Sequence, residues 1–239
     1  MYHNKKSYFS SINNHNLLYK NSGNKGLLDL INDTSGEILD VGCGAGDNAQ
    51  NLLLKSINNQ DLKIYGITDS IAEKNICDKF LTYCWLLDLN LPLPDNLLEK
   101  SFNSIIFSHV LEHFVFPDLI LEKFYGLLKK DGLIYIAVPN AVSLIPRITL
   151  FRGNFPYSDS GFFDKTHLRF FTFDTVESCL LNSITGYVVL KKCAEGRFPL
   201  PFLRKFIFPR WLCSWIDKLA CKFMPNLFGS QILIVLKKI

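Results

Sequence analysis

The stretch that decides the fold is EILDVGCGAG, Glu37 to Gly46: five residues with the character of a buried strand, then three glycines at alternate positions. Strand chemistry running straight into such a turn predicts a strand-to-helix junction. Glycine allows positive φ and leaves no Cβ, so the loop can turn sharply and bring backbone N–H groups against a ligand. The helix follows as NAQNLLLKSI, with Asp47 or Asn48 placed to cap it. Asp40 closes the strand immediately before the loop.

Outward from this junction the pattern repeats. NKGLLDLIND (24–33) reads as a short helix before the strand. IYGI (64–67) is a second strand, Ile71 to about Phe80 a helix, and CWLLDL (84–89) a third strand. SIIFSHV (104–110) is the fourth strand. PDLILEKFYGLLKK (117–130) is an amphipathic helix closed by Asp131 and Gly132, and LIYIAVP (133–139) is the fifth strand. Continuous apolar strands separated by helices predict a Rossmann-like, doubly wound, mostly parallel α/β sheet covered on both faces, with its ligand beyond the carboxyl ends of the strands. A helix over 173–184, a strand over 186–192 and a final strand over 231–238 complete the chain. We expect one domain over 1–239, with an arm and helix at 1–35, an irregular lid segment at 140–171 and a basic, aromatic helical insertion at 197–228.

The 239 residues are 48% hydrophobic, enough for one sizeable core, and the formal net charge of +4 does not imply nucleic acid. Seven cysteines, an odd number without a CxxC pair, fit a reduced, cytoplasmic protein. No run of 18 apolar residues occurs, and the polar start lacks the apolar core of a secretory signal. No acidic/histidine set at metal spacing stands out, so no metal is expected.

The glycines are spaced GxGxG, not the GxGxxG of dinucleotide folds, and Asp40 would repel a pyrophosphate while suiting a cationic amino group. Together with SHVLEH at Ser108 to His113, Pro139-Asn140 after the fifth strand, and DKTHLRFFT from Asp164 to Thr172, the loop LDVGCGAG resembles that of the class I S-adenosylmethionine-dependent methyltransferases. The resemblance runs from about Gly36 onward and is closest to the bacterial glycan and small-molecule branch. It implies a seven-stranded sheet whose last strand is antiparallel, and S-adenosylmethionine as cofactor. It further implies that Asp40, Gly42, Gly44 and Gly46 hold the methionine end. Asp88 would meet the adenine amino group beside the Leu89 backbone, and Ser108 and His109 would leave the fourth strand next to the sulfonium. The ribose-binding acid expected at the end of the second strand is replaced by Thr68, with Asp69 one step later. Asp88 also suits a plain loop role, capping LNLP.

Methyl transfer to a hydroxyl needs alignment and a base of near-neutral pKa, for which histidine is suited. His3 and His15 lie in the arm, and His113 is explained by capping or packing as well as by catalysis. His109 is close to the methyl position. His167 lies among aromatics on the lid with Asp164 three residues before it, so an Asp164-assisted His167 base is the first expectation and His109 the second. Alternatively Thr166, His167 and Arg169 pin the lid. The expected acceptor is a sugar, a cell-surface glycan precursor or another small hydroxylated molecule. Methylation at nitrogen or carbon, or a binding protein without turnover, is the alternative. The segment 197–228 mixes Arg197, Arg204, Lys205, Arg210, Lys218 and Lys222 with Phe and Trp. That suits either helices packed over the sheet edge or peripheral membrane contact at the inner face.

Overall fold

The computed structural model describes residues 22–56, 61–199, 204 and 209–239. A seven-stranded sheet runs in the order β3-β2-β1-β4-β5-β7-β6. Its strands are β1 Glu37–Val41, β2 Lys63–Thr68, β3 Tyr83–Leu86, β4 Phe102–Ser108, β5 Leu128–Pro139, β6 Tyr187–Gly196 and β7 Gly229–Lys238. Pairings among β1 to β5 are parallel, while β7 runs antiparallel to both β5 and β6. The expected α/β sheet with its antiparallel last strand is therefore present.

The period of two that defines a strand divides the core. Leu39, Ile105, Phe107, Ile134 and Ile136 face one apolar cluster, completed by Leu121, Phe124, Val176 and Leu180. Ile38, Ile106, Tyr135 and Ala137 face the other, with Leu27, Leu28, Ala49 and Leu52. Burial on both faces explains why these strands read as continuous apolar runs. The helices are α1 Lys25–Leu28, α2 Asp47–Lys55, α3 Ile71–Cys77, α4 Asp95–Leu98, α5 Pro117–Tyr125, α6 Leu144–Phe151, α7 Val176–Leu180, α8 Arg210–Phe223 and α9 Pro225–Phe228.

Several boundaries differ from the sequence reading. Neither Asp47 nor Asn48 caps α2: Gly46 is its N-cap, in left-handed conformation without a side-chain bond, and Asn48 Oδ1 instead accepts from the Asn24 N–H at 2.8 Å. The fifth helix stops at Tyr125, because Leu127 and Leu128 are both buried and Leu128 already pairs with Phe102. Asp131 and Gly132 therefore shape a bulge in β5 and do not close a helix. Asp131 adopts φ 62° and pairs with Lys237 of β7 at 2.8 Å. The 140–171 segment contains α6 and is not wholly irregular. The expected arm lies, through residue 21, outside the described residues. The 197–228 insertion is helical in α8 and α9, with 200–203 and 205–208 outside the description. Among the described residues no helix is long and apolar enough to cross a membrane.

Candidate active site

The carboxyl ends of the parallel strands carry two groups of residues, one at β1 to β3 and one at β4 and β5. At the first, Asp40 is 1% exposed and neither carboxylate oxygen has a hydrogen-bond partner. Burial pushes its carboxyl up to about 7, against an opposing pull from the Asn48 side chain, while Cys77 and Asp47 push the same way as burial. A buried, unpartnered carboxylate is costly and calls for a cation. The loop beyond it turns through positive φ at Gly42 (69°), Gly44 (55°) and Gly46 (83°). A Cβ on Gly42 would stand 2.6 Å from Val110, and one on Gly46 2.5 Å from Phe80. These two glycines are thus required by the protein's own packing as well as by the turn.

Farther along the same edge, Thr68 donates to Glu73 Oε2 at 2.6 Å, both side chains buried, whereas Asp69 is exposed. The inward Thr68 binds the protein itself, and the carboxylate that faces outward is Asp69. Asp88 is exposed beyond β3, where its Oδ1 accepts from the backbone N–H and side-chain amide of Asn90, each at 2.9 Å. Leu89 beside it is buried, with its carbonyl accepting from Lys123. Asp88 thus makes the local loop contact of the alternative reading while lying on the edge where an adenine would lie.

At the end of β4, Ser108 is half-buried and His109 takes φ 56° while its N–H still bonds the Ala137 carbonyl of β5 at 2.9 Å. That left-handed step aims the imidazole away from the strand. A 3-10 turn, Leu111–His113, then carries Glu112 inward until it is fully buried. Glu112 Oε1 lies 3.3 Å from His109 Nδ1 and 3.9 Å from His167 Nε2, and neither of its carboxylate oxygens receives a hydrogen bond. The Glu112 carbonyl accepts from the backbone of Leu168 and Arg169, and Arg169 Nε bonds the Val115 carbonyl. These contacts fasten the 164–171 stretch to the turn after β4.

Asp164 and His167 make no hydrogen bond to each other, although the Asp164 charge acts to raise the His167 pKa. Asp164 Oδ1 accepts from the Thr166 backbone at 2.8 Å and its hydroxyl at 2.6 Å, and the Thr166 hydroxyl in turn meets His113 Nδ1 at 3.0 Å. His167 Nδ1 faces the Phe162 carbonyl at 3.1 Å. The His167 side chain is 7% exposed, against 43% for His109. Burial holds the His167 pKa below its usual value, although Glu112 opposes the shift. At His109, burial also disfavours the charged form, but Glu112 and Gln231 outweigh it and the pKa is raised. Glu112 and Gln231 were not recognised in the sequence. The signal for Glu112 was its spacing of three from His109 in HVLEH, which places both on one side of a tight turn.

No metal set stands out in the linear sequence, but the fold brings candidate ligands together. One ligand atom each from Glu112, His113 and His167 lie within 4.8 Å of one another, as do the buried Cys43, Cys77 and Cys84 thiols.

A model of the methyltransferase domain family matches residues 14–190. No curated protein matches the chain. Solved structures do. A methyltransferase from Archaeoglobus fulgidus, described as S-adenosylmethionine-dependent, is 21% identical over 85% of this chain and 86% of its own, with a TM-score of 0.57. A possible histamine N-methyltransferase from Thermotoga maritima is 17% identical over 89% of this chain and 88% of its own, at 0.56. The plantazolicin methyltransferase BpumL, crystallised with S-adenosylhomocysteine, is 17% identical over 88% of this chain and 79% of its own, at 0.55. The buried carboxylate before a positive-φ glycine turn fits the cationic methionine end of such a ligand. With the family matched over most of its length, this chain belongs to the methyltransferase domain family, whose class I fold it has and whose methyl donor is S-adenosylmethionine.

Proposed function

We propose that the chain transfers the methyl group of S-adenosylmethionine to a hydroxyl of a sugar, a cell-surface glycan precursor or a similar small acceptor. The observation that carries this reading is the His109–Glu112 pair, a solvent-reachable imidazole backed by a buried carboxylate beyond β4. His109 Nε2 now meets Gln231 Oε1 at 2.9 Å. An acceptor hydroxyl taking the place of that amide would put its proton on Nε2 as its oxygen attacks the methyl carbon. Glu112 then steadies the imidazolium that forms. His109 is thus preferred to His167 as the base. His167 and the Asp164–Thr166–His113 chain hold the surrounding segment.

A groove of about 940 Å³ beside this point is lined by apolar residues such as Ile145 and Phe198 with Ser143, Glu195, Arg197, Asp217 and Gln231 among them, a mixed lining that offers hydrogen bonds to a hydroxylated acceptor. The 140–171 segment borders it as a lid, with Ile145, Phe151 and Tyr157 exposed. On the donor side, Asp40, Gly42, Gly44 and Gly46 form the methionine end, Asp69 faces the ribose, Asp88 and Leu89 the adenine, and Ser108 the sulfonium.

The test is transfer of labelled methyl from S-adenosylmethionine to soluble glycan precursors and cell-envelope fractions. Label on oxygen is expected. Label on nitrogen or carbon would establish the alternative chemistry, and tight cofactor binding without transfer to any fraction would leave a binding protein. A second reading concerns location. Trp211, Trp215, Lys218 and Lys222 share an exposed stripe of α8 at helical spacing, which favours contact with an anionic membrane surface.

A further inference from the structure

We infer that Glu112, His113 and His167 form a binding site for a divalent first-row transition metal such as Zn²⁺, Mn²⁺ or Co²⁺, between the turn after β4 and the 158–171 stretch. The argument rests on where the protons are. Phe162 offers His167 only a carbonyl oxygen, so His167 Nδ1 is the donor in that 3.1 Å contact and Nε2 of the neutral ring carries the lone pair. That Nε2 faces Glu112 Oε1 at 3.9 Å.

The same reasoning applies to His113. The Thr166 hydroxyl gives its proton to the Asp164 carboxylate at 2.6 Å, so it can only accept from His113 Nδ1, and the Thr166 carbonyl at 3.3 Å can only accept as well. His113 Nε2 is therefore the unprotonated nitrogen. Two imidazoles with their Nδ1 protons fixed on oxygen, one of them through a partly buried relay to a carboxylate, have the outer hydrogen bonding that metal-bound histidines show.

Between them stands Glu112, 0% exposed, with both oxygens lacking a hydrogen bond. A fully buried carboxylate facing the His167 lone pair is strongly unfavourable, and His109 at 3.3 Å meets only Oε1, so a second cation would be stabilised there. Tetrahedral ligands at about 2.1 Å from a metal stand roughly 3.4 Å apart, and one ligand atom from each of the three residues already lies within 4.8 Å of the others. Two imidazoles and a carboxylate are a donor set for borderline metals, and three protein ligands are the pattern of a site with an open position. His109 Nδ1 and His167 Nε2 both face Glu112 Oε1, so the carboxylate puts one oxygen on a metal and one toward His109 only by turning to bring in Oε2, which has no hydrogen bond. The site does not depend on which acceptor the enzyme methylates.

The experiment uses the full chain, stripped with chelator and titrated with Co²⁺, whose visible spectrum reports its ligands. Expected are one equivalent bound, weak d–d bands of nitrogen and oxygen coordination, displacement by Zn²⁺ and a rise in Tm. Glu112→Gln and His167→Asn should each abolish the bands while S-adenosylhomocysteine affinity, measured separately, reports that the fold and the donor site persist. The thiol cluster of Cys43, Cys77 and Cys84 is the other metal-capable group among the described residues, and Cys84→Ser should leave the spectrum unchanged. A wild-type protein that shows no Co²⁺ bands overturns the site whatever the variants do. So do thiolate charge-transfer bands, or bands that survive in both Glu112→Gln and His167→Asn. Loss of cofactor affinity in the wild type would count against the methyltransferase reading and not against the metal.

Discussion

His109 Nδ1 stands 3.3 Å from Oε1 of Glu112, three residues along the chain, and the two differ sharply in exposure: 43% for the histidine side chain and none for the carboxylate. The pair therefore has one buried end and one that an acceptor can reach. His109→Asn should lower kcat by roughly 10²- to 10⁴-fold with cofactor affinity near wild type. His167→Asn should instead change kcat and KM together, as loosening of the lid does. Steady-state kinetics with the true acceptor checks both, and a His109 variant with normal kcat removes it from the mechanism.

The glycine loop separates ligand contact from packing. Gly46→Ala places a Cβ 2.5 Å from Phe80 at a φ of 83° and should cost about 1–3 kcal/mol of stability, read by urea unfolding. Gly44→Val should abolish S-adenosylmethionine binding in a protein that still folds. Calorimetric titration showing unchanged affinity would refute the loop as the methionine site.

Asp40 gives the protein a pH dependence of defined sign. Its folded pKa of about 7 exceeds the ordinary 3.8, so its contribution to stability is fully present below pH 3.8 and is lost as pH rises through 7. The loss for so buried a group is on the order of 4 kcal/mol. A bound ammonium favours the carboxylate, so the Tm increment given by S-adenosylhomocysteine should be larger at pH 8 than at pH 6. Asp40→Asn should flatten that difference and make the free protein more stable at pH 8. An increment independent of pH in the wild type would mean that Asp40 does not meet the cation.

The α8 stripe predicts sedimentation with anionic vesicles at low salt and release as salt screens Lys218 and Lys222. The double substitution Trp211→Ala, Trp215→Ala should abolish it. Failure of the wild type to sediment at any salt returns α8 to a packing role.

The parallel sheet was legible because strands buried on both faces announce themselves as apolar runs, and the glycines after Asp40 marked the sharp strand-to-helix turn that the structure has. The base was harder to place. Asp164 and His167 are close in sequence, yet the chain between them turns so that the carboxylate serves Thr166 and His113. The grouping of Glu112 with His167 spans fifty-five positions and exists only once the 164–171 stretch docks on the turn after β4. The α5 boundary was missed for a related reason. Lys129 and Lys130 continue a helical pattern, but pairing of Leu128 with Phe102 wins over local propensity.

The side-chain amides of Asn24 and Gln231 bond each other across 207 positions of chain, at 2.8 Å and 3.1 Å. Gln231 lies on β7, the strand inserted between β5 and β6 although it follows both in sequence. Contacts of such separation form late in folding, because a long loop must close before they repay its entropy. This strand order predicts that the His109 side is completed after the glycine loop: β1 pairs with β2, 26 positions on, while His109 gains its Gln231 partner only when β7 has threaded into place. Fraying of β7 would disperse the groove that Ser230 and Gln231 line while the cofactor loop stayed folded, so an early loss of turnover on warming, ahead of cofactor release, is the expected kinetic mark of this strand order.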